Sequence, residues 1–172
     1  LKLKEQSTIK GDCLDILKDK NIIEKYLKDK KFSLIAIDPP YGDMMSREKT
    51  GEAIKKNQST DATPFTKNRS DLGNMDWKSF KEKFLESIHL SIPFLKDRGH
   101  YVVFIKDLQP KEGHTNLLHS DLIEEMNKIE GLNYIGMKIW ADESINLYPY
   151  GYPHSFVSNQ LHQYIMFFRK KN

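Results

Sequence analysis

Four consecutive residues, Asp38, Pro39, Pro40 and Tyr41, follow directly on the apolar run FSLIAI (32–37) and bring together a carboxylate, two rigid rings and an aromatic face. Each proline fixes its own φ and pushes the residue before it towards extended backbone. Two backbone donors are lost while the carbonyls remain. The corner therefore presents acceptors, the Asp38 carboxylate and a backbone carbonyl, with the Tyr41 ring alongside. A planar heterocycle carrying an exocyclic amino group suits such a platform. Its ring stacks on Tyr41 while its NH₂ donates to Asp38 and to the Pro39 carbonyl. Those bonds draw the nitrogen lone pair out of conjugation, so that it can attack an electrophile. The plainer alternative is a tight Pro-Pro turn with a solvated aspartate.

A second corner, Gly11-Asp12, lies upstream in IKGDCLDIL (9–17). Taken alone, Asp12 is a helix cap. Cys13 beside it reads as a small buried residue rather than a nucleophile. Of the six histidines, His114 and His119 with Asp121 are the nearest approach to a metal group, but their positions match no recognised ligand spacing, and no metal is expected. Walker, GxSxG and zinc patterns are absent.

The elements that must hold these corners follow from periodicity. STIKGD (7–12) reads as a short strand, and residues 14–30 as a helix with Leu14, Ile16, Leu17, Ile22, Ile23, Tyr26 and Leu27 against lysines, broken near Asn21. FSLIAI reads as a strand covered on both faces, whereas residues 42–75 are polar and aperiodic, a loop. Asp76 caps a predicted helix bearing Trp77, Phe80, Phe84 and Ile88 on one face up to Pro93. A strand at 100–105, a helix at 121–131 opened by Asp121 and strands at 133–140 and 162–170 complete an α/β fold with a mostly parallel sheet. In such folds ligands gather at the carboxyl ends of the strands, where Asp38 sits.

At 172 residues the chain reads as one domain, and 38% apolar with 30% charged residues is a globular composition. A net charge of +3 permits a polyanionic partner without demanding one. A single cysteine excludes a disulfide framework and points to a cytoplasmic setting. No apolar run is long enough for a membrane span, and the opening residues do not read as a signal peptide.

The Asp38-Pro39-Pro40-Tyr41 corner after an apolar strand resembles the catalytic motif of the DNA amino-methyltransferases, which methylate adenine N6 or cytosine N4 using S-adenosylmethionine. The Gly-Asp corner, a helix and then that strand resemble the segment preceding the motif in the same family. YPYGYPHSFVSNQLHQYIMFFRK (148–170) is similar to the tail of the family's catalytic domain. The resemblance implies a Rossmann-like methyltransferase sheet with helices on both faces. It gives Asp38, Pro39, Pro40 and Tyr41 the catalytic role, and cofactor contacts to Asp12, the Cys13 backbone and Asp38. Asp at the first motif position tilts the substrate towards adenine N6 in double-stranded DNA, with the base flipped out. RNA or a protein glutamine amide as substrate, and a non-catalytic methyltransferase-like partner subunit, are the competing readings.

One departure limits the resemblance. The family holds the methionine end of the cofactor on a Phe-x-Gly-x-Gly loop, and none of the nine glycines lies in one. Two central strands of the family's sheet are also missing between the two corners. A permuted branch of the family places the DPPY half first, which is the order found here. The chain is therefore expected to be a single, partial catalytic domain over residues 1–172, and Leu1 in place of methionine agrees with that. A second chain or a following segment would supply the glycine loop and target recognition. Lys49, Lys55, Lys56, Lys67 and Arg69 in the 42–75 loop are candidates to meet DNA phosphates.

Overall fold

The computed structural model describes residues 7–28, 30–40, 42, 57, 59, 61, 63–107, 117–142, 149–152, 155–158 and 162–172. Residues 7–10 take no regular structure where a strand was expected, since no described strand lies beside them to complete a ladder. Asp12 then caps α1 (Cys13–Lys18), its Oδ1 accepting from the Leu14 amide at 2.9 Å. The helical stretch breaks at Asp19, two residues before the predicted point. Asp19 ends α1 and caps α2 (Lys20–Leu27), accepting from the Asn21 and Ile22 amides at 2.9 and 3.2 Å. A short polar side chain that can bond amides two and three residues on wins over helix continuation there.

The strand β1 (Phe32–Ile37) comes next, and a short 3₁₀ turn (Leu72–Asn74) precedes α3 (Trp77–Ser91). Asp76 caps α3 as expected, accepting from the Ser79 amide at 3.0 Å and the Ser79 hydroxyl at 2.7 Å. Phe80, Phe84 and Ile88 are buried on one face, and the Trp77, Phe80 and Phe84 rings stack in succession at 5.2 and 5.4 Å. Pro93 falls in the 3₁₀ turn Ile92–Phe94 that ends the helix and leads into β2 (Leu95–Ile105). After β2 come α4 (Leu118–Asn127), β3 (Leu132–Ala141), a hairpin of β4 (Pro149–Tyr152) and β5 (Ser155–Ser158), and β6 (His162–Lys170). Lys170 fastens the last strand to the end of α3, its ammonium donating to the Ile92 and Leu95 carbonyls at 3.2 and 2.8 Å.

The main sheet has the order β1-β2-β6-β3. The mostly parallel sheet expected from the element order is instead mixed. Among the described strands only β1 and β2 are parallel, joined through α3, and β6 runs antiparallel to both β2 and β3. The connection from β3 to β6 carries a hairpin rather than a crossover helix, and so returns the chain antiparallel.

Strand alternation separates two faces. Ile35 and Ile37, Tyr101 and Val103, and Met166 and Phe168 lie in register on one face and share a core with Phe80, Phe84 and Ile88 of α3 and Leu118, Leu122 and Met126 of α4. The other face carries Leu34, Ala36, Val102, Phe104, Ile165 and Phe167. The resemblance implied helices on both faces; the described helices that enter the core all do so from one. On the opposite face Leu34 remains 55% exposed. β1 pairs with a described strand along one edge only. Among the described strands FSLIAI is thus an edge strand, and it is not covered on both faces.

Candidate active site

Asp38, Pro39 and Pro40 leave β1 at its carboxyl end, with Asp38 exposed, Pro39 buried and Pro40 half-buried. The protein around Asp38 removes part of its hydration and pushes its carboxyl above the usual aspartate range. Tyr41 lies outside the described residues. Gly42 adopts φ +61°, and a Cβ there would stand 3.5 Å from the Met75 carbonyl oxygen and 3.9 Å from the Trp77 backbone. Glycine is favoured by both the left-handed turn and the close approach, which seats the corner against the start of α3.

Two adjoining cavities flank this turn. A largely apolar one of about 510 Å³ is lined by Asp38 and Pro39 together with Ile16, Ile35, Phe84 and Tyr101. A polar groove of about 770 Å³ is lined by Asp12, Cys13 and Leu14 on one side, Pro40, and Ser70 and Leu72 on the other. Gly11, Cys13, Pro40 and Leu72 border both. Asp12, Cys13, Asp38, Pro39 and Pro40, singled out from the sequence, are thus gathered around one place. The Gly-Asp corner and the Pro-Pro turn face each other although a helical pair and a strand separate them in the chain.

Asp12 commits one oxygen to the Leu14 amide, and among the described residues nothing donates to its other oxygen. Capping and accepting from a ligand are therefore compatible. Cys13, expected to be buried, is exposed at the first position of α1. Partial desolvation first, and the neighbouring Asp12 carboxylate second, push its thiol above the usual range. A thiol held protonated is a poor nucleophile.

Two features escaped the sequence reading. Residues 66–75, read as part of a structureless loop, form a hydrogen-bonded turn centred on Asp71. Its Oδ1 accepts from the Gly73 amide at 2.9 Å and its Oδ2 from the Thr66 hydroxyl at 2.8 Å. The Asn74 side-chain amide donates to the Thr66 and Asn68 carbonyls at 2.8 and 2.9 Å. Thr, Asn and Asp at these spacings are turn formers and were the available signal. Lys67 and Arg69 are exposed on this segment, whereas Lys49, Lys55 and Lys56 lie outside the described residues.

The second feature is a part-buried pair just past the end of β2. Asp107, 4% exposed, accepts from the His119 backbone amide at 3.0 Å, and its two oxygens lie 2.8 and 2.7 Å from His119 Nδ1. The imidazole stacks on Tyr164 with ring centroids 3.9 Å apart. Asp121, the predicted cap of α4, instead sits in its first turn and accepts from Trp77 Nε1 at 3.1 Å. The helix starts at Leu118, three residues early, because these tertiary bonds anchor it. His119 and Asp121 are thus turned to different partners, while His114 lies outside the described residues. Among the described residues no three His, Cys, Asp or Glu side chains converge in a metal-binding group. None of the described helices is long and apolar enough to cross a membrane.

No protein-family model and no curated protein sequence matches the chain. Solved structures do match. The chain is similar to TTHA0409 from Thermus thermophilus, a protein provisionally assigned as a DNA modification methylase. The TM-score is 0.57 at 17% identity, over 94% of this chain and 52% of that one. A crystal structure of the same protein complexed with S-adenosyl-L-methionine gives a TM-score of 0.54 at 16% identity, again over 94% and 52%. At such identities the likeness establishes the fold alone, a mixed α/β sheet with helices shared with those structures. The chain spans about half the length of the structures it matches, 51% to 55% of theirs.

Proposed function

We propose that the chain is the catalytic-corner portion of a DNA methyltransferase that transfers the methyl group of S-adenosyl-L-methionine to an exocyclic amino nitrogen, adenine N6, of a base flipped out of the duplex. The observation that carries this reading is that Asp12, Cys13, Asp38, Pro39 and Pro40 line two adjoining cavities at the carboxyl end of β1, with Cys13 and Pro40 bordering both. Similarity in fold to a methylase crystallised with the cofactor supports it.

In this reading Asp38 and the Pro39 carbonyl accept the amino hydrogens of the base, and Tyr41 stacks on its ring. When bound, S-adenosyl-L-methionine would supply an electrophilic sulfonium methyl to that nitrogen, the nitrogen–carbon bond forming as the sulfur–carbon bond breaks and the amino proton passing to water. S-adenosylhomocysteine would be the leaving product. Positioning and hydrogen bonding carry the rate, with no covalent enzyme intermediate. A second chain or a further segment bearing a Phe-x-Gly-x-Gly loop completes the cofactor site and contributes target recognition. The edge of β1 along which no described strand pairs, and the exposed Leu34 beside it, are where such a half would pack.

Tritiated methyl transfer from S-adenosylmethionine to duplex DNA, RNA and protein, measured with the chain alone and with the glycine-loop half, separates this reading from its rivals. Label in DNA N6-methyladenine is expected, and only when both halves are present. Label in RNA or in a protein glutamine would move the assignment to those substrates, and none in any would favour a non-catalytic subunit. Asp12→Ala should weaken cofactor binding about tenfold, as loss of a hydrogen bond to a charged acceptor does, with DNA affinity little changed. Calorimetry showing unaltered cofactor affinity removes Asp12 from the site.

A further inference from the structure

The polar groove has two sides, and the functional reading uses only one of them. Opposite Gly11–Leu14 stand Thr66, Asn68, Ser70, Asp71, Leu72 and Met75, none of them a site candidate from sequence. This side is built rather than incidental. Asp71 ties Thr66 to the Gly73 amide, and the 3₁₀ turn Leu72–Asn74 is capped by the same carboxylate. Gly73 is buried against the Pro-Pro turn: a Cβ on it would lie 3.2 Å from Pro40 Cβ and 3.4 Å from Asp71 Oδ1. Neither neighbour yields easily, since one is a proline ring and the other a carboxylate held from two directions. The segment is therefore docked on the corner itself, and its Leu72 and Met75 are half-buried at the groove. The groove has apolar flanks, hydroxyls and the Asp12 oxygen left open by its cap, and Lys10, Asp15, Lys18 and Lys83 line it as well; such a mixture fits a planar ring bearing an amino group and a sugar.

We propose that residues 66–75 are the second wall of the groove, and that with Gly11–Leu14 they enclose the purine nucleoside part of the cofactor, Asp71 being the positioning residue that holds the wall. The inference rests on the methyltransferase reading. Adenosine is the probe, because it carries the purine, its amino group and the ribose but needs nothing from a glycine-loop half. Adenosine titrated into the ¹⁵N-labelled chain should shift the amide resonances of Gly11–Leu14 and of Ser70–Asn74 along one common saturation curve. Uridine should move neither. Asp71→Ala should raise the adenosine dissociation constant about tenfold, the size expected when a charge-accepting hydrogen-bond network is released, while core amides at Tyr101 and Phe168 stay in place. Asp71→Asn, which keeps an acceptor for the Gly73 amide, should restore most of the affinity. Shifts confined to Gly11–Leu14, or an unchanged affinity in Asp71→Ala, would overturn the second wall and leave the first intact. No shift in either segment at millimolar adenosine would overturn both.

Discussion

Asp38→Ala lowers methyl transfer by about 10²–10³-fold, the loss typical of removing one preorganised hydrogen-bonding group from a reacting centre, while the chain keeps its melting temperature. The expectation joins two observations. Asp38 is exposed at the end of β1 and no hydrogen bond from the described residues reaches its carboxylate, so the fold does not depend on it. Its position between the apolar cavity and the turn nevertheless puts it where an amino group would be received. Asp38→Asn keeps one acceptor oxygen and should fall between wild type and alanine. The working form is the carboxylate, and desolvation raises its pKa above 3.8. The acid limb of the pH–rate profile should therefore lie above the ordinary aspartate value, and Asp38→Asn should remove it. The sign for stability is opposite to that of a salt-bridged acid. The folded state binds this proton more tightly than the unfolded chain, so the contribution is present at low pH and is lost as pH rises from the ordinary to the raised value. Single-turnover tritium transfer across that range reads the rate effect directly. Turnover near that of wild type in Asp38→Ala would remove Asp38 from the chemistry.

The local parts of this molecule were legible because they rest on short-range rules. Asp76 as a cap with Phe80, Phe84 and Ile88 turned inward follows from helical period and capping chemistry alone. The same holds for the placing of Asp38 at a strand end, since apolar runs and prolines are sharp boundaries. What escaped depended on partners distant in sequence. Asp121 has the spacing of a cap but is drawn to the Trp77 indole 44 positions away, and α4 begins where Asp107 grips the His119 amide. The antiparallel insertion of β6 between β2 and β3 is likewise a matter of connection geometry rather than of any residue in β6. The turn at 66–75 has no period at all. Its order comes from polar side chains bonding nearby backbone, which composition renders as a loop.

The same distinction between local and distant partners governs the outer sheet face. Leu34→Asp should leave the isolated chain almost unchanged, within about 0.5 kcal/mol, because an exposed side chain contributes little to the free fold. Leu34 is 55% exposed on β1, beside Ala36, and β1 has no described strand on its far edge. If a glycine-loop half packs there, the variant must bury a carboxylate on a face that carries Ala36, Val102 and Phe167, with the neutral His100 imidazole as its register partner. An unpaired buried charge costs several kcal/mol where a leucine contributes about 1.5–3 kcal/mol. Association with that half, and methyl transfer with it, should therefore fall by about 10²-fold or more, since about 2.7 kcal/mol already corresponds to that factor. Leu34→Met, close in volume and apolar, should retain both. Sedimentation of the paired halves together with the transfer assay separates the outcomes. Full association and activity in Leu34→Asp would mean that this face stays in water and that the missing strands are supplied elsewhere. A loss confined to the paired state ties the exposed outer side of β1 to completion of the cofactor site, since the same strand carries Leu34 there and delivers Asp38 at its end.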